Sequence, residues 1–74
     1  MPVPAYQCAI LRPGDRLWAI LLPGRDPVCV TVEAVHLLGY FPDPEGAHLA
    51  VRTAMGNTVW IMHTDIVRCA PDFH

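Results

Sequence analysis

Two pairs in this 74-residue chain have the types and spacing for proton transfer. His63 and Asp65 lie two apart, and Glu33 and His36 lie three apart, so either pair can set an imidazole beside a carboxylate, the usual partners in general acid–base work. Neither pair has a nucleophile at motif spacing or a glycine-rich frame beside it. Thr64-Asp65 also suits the start of a short helical turn, where Thr64 is placed to cap. Structural roles are therefore expected for both pairs, and no catalytic residue is assigned.

Cys8, Cys29 and Cys69 are odd in number and far apart, with no CxxC, so a zinc knuckle and a thioredoxin-like motif are excluded on spacing. Cys29 and Cys69 fall in strand-like segments and are expected to act as small core apolars, with a disulfide or a Cys/His metal site as the alternatives. His36, His48, His63 and His74 show no HxH or HxxxH spacing, although His48 and His63 lie near opposite ends of a hairpin pair and could approach each other. No metal or cofactor is expected.

The charges restrict the partners. There are five arginines, no lysine and a net charge of −2. Phosphate backbones call for clustered positive charge, whereas Arg12, Arg16, Arg25, Arg52 and Arg68 stand singly, so nucleic-acid binding is disfavoured unless folding gathers them. Only 16% of residues are charged and 53% are apolar, with a mean hydropathy of +0.31. A buried surface between subunits or against a partner accounts for that deficit of charge. A membrane does not, because the longest apolar runs, 17–22 and 28–32, fall far short of the roughly 20 residues a span needs. Met1-Pro2-Val3-Pro4 has neither a basic nor an apolar leader segment, so no signal peptide is expected. Reduced thiols in a cytoplasm follow as the default.

The elements that position these residues are strands, and the chain makes one domain. Eight prolines and five glycines punctuate it every few residues. Residues 1–11 read as an extended N-terminal arm, 12–70 as the domain and 71–74 as a tail. After an Arg12-Pro13-Gly14-Asp15 turn, the first strand is expected over 16–22. The second covers 28–38 and changes phase at Ala34-Val35, which calls for a bulge. The longest loop, 39–46, carries Tyr40 and Phe41.

The third and fourth strands form the best-defined hairpin. Val51 is expected opposite Val59 and Leu49 opposite Ile61, because cross-strand neighbours share a face. That register leaves Ala54-Met55-Gly56 as a three-residue loop, with glycine where positive φ is required. A 3-10 turn at 63–66 and a short fifth strand at 67–69 complete the order.

Gly14-Asp15-Arg16-Leu17-Trp18, the Met55-Gly56-Asn57 hairpin and Thr64-Asp65-Ile66-Val67 carry a resemblance, over residues 12–70, to the SH3-like barrel family, which includes Tudor, KOW and chromo-type domains. It implies an all-β, five-stranded barrel with a single 3-10 turn before the last strand. Within that family, Tyr40, Phe41, Trp18 and Trp60 are candidates for a Tudor-type aromatic cage that holds a cation, or for a groove that takes proline-rich peptide. The Gly14-Asp15-Arg16-Leu17 entry and the Val59-Trp60-Ile61-Met62 strand also resemble plasmid-type (type II) dihydrofolate reductase, which implies an oligomeric enzyme. Trp60 and Met62 replace that family's Gln and Tyr, however, and no lysine is present to attract anionic substrates.

The hairpin register turns His48, Ala50, Trp60 and Met62 outward. Trp18 and Ile20 present a further apolar face on the first strand. Aromatic residues and Met are enriched at interface centres. The reading that follows is a non-catalytic interaction protein that meets itself or another protein through this face, of a kind that would suit a phage or mobile-element product acting on a host protein. A folded-back arm covering Trp18 or Trp60 is the alternative account of the same surplus.

Overall fold

A computed structural model describes residues 4–40 and 44–69. Five strands form one antiparallel sheet: β1 (Arg16–Ala19), β2 (Val28–Leu38), β3 (Gly46–Arg52), β4 (Thr58–Met62) and β5 (Ile66–Cys69). The order across the sheet is β4-β3-β2-β1-β5. The sheet is open: β4 pairs with β3 and β5 with β1, and neither has a second neighbour among the described strands.

The expected hairpin register is present residue for residue, with Leu49 opposite Ile61, Ala50 opposite Trp60 and Val51 opposite Val59. The Thr53 N–H donates to the Asn57 carbonyl at 2.8 Å and the Gly56 N–H to the Thr53 carbonyl at 2.9 Å. These two bonds close a three-residue loop with a bulge, and Gly56 takes φ +88°, a conformation other residues reach only with strain.

β2 contains the expected phase change. Its register against β3 shifts between Val32 and Ala34, leaving Glu33 as the extra residue. The slip returns Val35 and Leu37 to the core side, where they pack partly buried. The core comprises Leu17, Ala19, Val30, Val32, Leu49, Val51, Ile61 and Ile66, with Ala47 beside them.

Four expectations are corrected. β1 ends at Ala19 instead of Leu22, because the Ile20 N–H donates to the Asp65 carbonyl at 2.9 Å and the chain then bends away. Residues 5–10 are a 3-10 helix, Ala5–Ile10, rather than an extended arm, so the chain has a second 3-10 element besides the expected one at His63–Asp65. Ala5 and Cys8 on that helix are buried, and it packs against β2, β3 and the His63–Asp65 turn. Cys8 is therefore a core thiol, while Cys29, expected in the core, is half-buried on the outer face opposite Trp18, and the Cys69 side chain lies outside what is described. Finally, the cap of the second 3-10 turn comes from Asp65, whose carboxylate accepts the Met62 N–H at 3.1 Å, and not from Thr64.

Candidate functional site

The outer face of the sheet is built by alternation. With Leu49, Val51 and Ile61 held in the core, the residues between them must point the other way. Three rows cross the strands on that side. The first runs Arg16, Thr31, Arg52, Thr58; the second Ala34, Ala50, Trp60; the third His36, His48, Met62.

The second and third rows hold the apolar strip. Trp60 is 65% exposed and Met62 45% exposed, whereas Ala50, flanked by Trp60 and Ala34, is only 7% exposed. Trp60 also lines, with Ile20, Leu21, Pro23, Ile61, Thr64 and Asp65, a hollow of about 320 Å³ beside the outer edge of β4. Ile20 is thus brought next to Trp60 although 40 positions separate them, because β1 runs out where the turn after β4 begins. The 3-10 helix at the N-terminus packs elsewhere, and the indole of Trp60 stays open.

The three described aromatic candidates, Trp18, Tyr40 and Trp60, do not share one site. Trp18 lines a different hollow, of about 370 Å³, with Pro27, Val67 and Arg68, and the Arg68 guanidinium lies 5.7 Å from its ring centroid, within cation–π range. Trp18 and Trp60 stand on β1 and β4, three strand spacings apart, or about 14 Å along the sheet. Tyr40 is 91% exposed beyond the end of β2. Phe41 lies outside the described residues.

The first row carries the charge. Glu33, the bulge residue of β2, accepts from Arg52 Nη2 on β3 at 2.8 Å and from Thr58 Oγ1 on β4 at 2.5 Å. The Thr58 hydroxyl lowers the Glu33 carboxyl most; desolvation opposes it, and the charge and hydrogen bond of Arg52 add to the lowering, so the group stays below its ordinary value. The Glu33 carboxylate is thus turned to β3 and β4, and His36 stands in another row, opposite His48. Sequence reasoning missed this clamp; its one trace was the Glu at the phase slip. His48 lies across from Met62, one residue before His63, which is half-buried in the turn.

Arg16, Arg52 and Arg68 all fall on the outer face, which spacing along the chain did not disclose. Arg16 and Arg52 share a row with Thr31 between them, and Arg68 is opposite Trp18. Arg12 is in the turn before β1, where its N–H donates to the Asp15 carboxylate at 2.8 Å.

Among the described residues, no group of three or more His, Cys, Asp or Glu is disposed to hold a metal ion, and no helix is long and apolar enough to cross a membrane. Comparison with protein-family models, curated proteins and solved structures finds no match to this chain.

Proposed function

We propose that the chain is a non-catalytic interaction module of SH3-like architecture that docks protein through the outer strip of β3 and β4. The strand order and the single 3-10 turn between β4 and β5 support the architecture. The docking reading rests on Trp60, a large aromatic side chain 65% exposed beside Ala50 and Met62, with Ile20 lining the hollow next to it. Burying apolar area drives most protein association, and Trp is the residue type most enriched among energetic anchors of interfaces.

Light scattering on an 8.2 kDa chain tests this directly. A monomer at all concentrations that also fails to bind an apolar dye would sink the reading. Trp60→Asp should abolish dye binding or association while the fold survives.

One observation favours a second reading. Arg16, Arg52 and Arg68 share the outer face with Trp18, a stacking surface flanked by cations, as single-stranded nucleic acid requires. Glu33 pairs with Arg52, which lowers the positive charge of this face. Binding of a short fluorescent oligonucleotide that weakens steeply with salt and is lost in an Arg16→Ala, Arg68→Ala double variant would favour it over the first.

A further inference from the structure

We propose that β4 pairs edge to edge with β4 of a second copy, a specific form of the docking just described and resting on it. In an antiparallel ladder, successive residues turn their N–H and C=O alternately toward one neighbour and the other. The bond from the Thr53 N–H to the Asn57 carbonyl sets the phase: Val59 and Ile61 turn inward to β3, and Thr58, Trp60 and Met62 turn to the open side. The Met62 N–H confirms the phase, because it reaches Asp65 on that side. The N–H and C=O of Thr58 and Trp60, with the Met62 carbonyl, therefore line an edge that no described strand covers.

The strand itself lacks the usual protection. Sheet edges are normally blunted by charge, proline or a bulge. β4 reads Thr-Val-Trp-Ile-Met and carries none of these within the strand, and the Asp65 carboxylate stands at its Met62 end. What such an edge accepts is another extended strand.

The edge is also complementary to itself. A two-fold axis beside Trp60 sets Trp60 against Trp60 of the second copy, Thr58 against Met62 and Val59 against Ile61. Four backbone bonds then form: each Trp60 N–H donates to the other copy's Trp60 carbonyl, and each Thr58 N–H to the other copy's Met62 carbonyl, while each Met62 N–H stays with Asp65 of its own chain. The two indoles become a direct cross-strand aromatic pair on the outer face. On the core side, Val59 of the second copy arrives beside Ile61, at the hollow lined by Ile20 and Leu21. No charged residue of β4 meets a like charge, and the five-stranded sheet continues into its copy.

Amide hydrogen exchange read by NMR at about 10 µM and about 1 mM, alongside sedimentation equilibrium, tests the pairing. The expected result is a mass of twice 8.2 kDa at the higher concentration, with the Trp60 and Thr58 amides slowed at least about ten-fold while Val59 and Ile61 are slow at both. Trp60→Lys, at an exposed position, should keep the fold by circular dichroism and remain a monomer with a fast residue-60 amide. A dimer whose Trp60 and Thr58 amides exchange as fast as in the monomer overturns edge pairing and leaves docking through the face intact. A monomer at both concentrations overturns the second copy as occupant, while the broader docking reading falls only if that monomer also fails to bind an apolar dye.

Discussion

Trp60 and Ile61 are adjacent in sequence and belong to opposite sides of the sheet, so giving both the same replacement measures the face assignment. Ile61 is 6% exposed and faces Leu49 in the core. Replacing it with Thr removes buried methylenes and introduces a hydroxyl there, at a cost of about 3 kcal/mol. A fully buried Trp hides up to about 250 Å². Trp60 at 65% exposure hides about a third of that, roughly 90 Å², which at about 25 cal/mol per Å² gives a ceiling near 2 kcal/mol. Compact denatured chains lower it further, and Thr retains a good strand propensity at an edge. Trp60→Thr should therefore cost about 1 kcal/mol. Urea unfolding followed by circular dichroism at about 1 µM, where association is weakest, reads both values. Equal losses from the two variants would refute the outward placement of Trp60, and with it the docking strip. Repeating the titration at about 100 µM adds a check: a dimer gains up to about 2.7 kcal/mol from a hundred-fold rise in concentration, a gain that Trp60→Thr should remove.

Further outcomes follow from other parts of the fold. Deleting residues 1–11 strips Ala5 and Cys8 from the core and should cost at least about 2 kcal/mol, measured as a fall in the urea midpoint. Gly56→Ala forces a side chain into φ +88° with nothing within 4 Å of the new Cβ, so it should cost about 1–2 kcal/mol by the same assay. Gly39→Ala should cost more, because its Cβ would also stand 3.0 Å from the Glu45 backbone nitrogen. Glu33 is held below its ordinary value of 4.5 by Thr58 and Arg52. A lowered carboxyl contributes stability above its unfolded value and loses it as pH falls through the folded one. Thermal melts should therefore show wild type losing stability below about pH 4.5, with a shallower loss in Glu33→Gln; identical profiles would show that the clamp contributes nothing.

Much of the fold was legible because strands impose a period of two. His48 to Thr53 and Val59 to Met62 alternate cleanly, and only one loop length keeps both alternations in phase. The register followed, and with it the outward direction of Trp60 and Met62. The slip at Ala34 was readable for the same reason, since a bulge changes parity and parity is visible in a string of letters.

Other features were not legible because they depend on chain segments meeting. Prolines in 2–4 suggested an extended arm, yet burying Ala5 and Cys8 against β2 and β3 folds the next six residues into a 3-10 helix. Apolar residues through Leu22 suggested a longer first strand, and the hydrogen bond from Ile20 to Asp65 ends it early. No spacing rule could group Ile20 with Trp60, set Arg68 over Trp18 or join Glu33 to both Arg52 and Thr58.

Local alternation and turn chemistry thus determined the strands, their faces and the hairpin register from the sequence alone, since each depends on neighbours within a few residues. Tertiary structure alone decided that Trp18 and Trp60 occupy separate hollows, that three scattered arginines share a face, and that β4 lies at an open edge. Those depend on the order of strands across the sheet, a property of long-range pairing that no local pattern encodes.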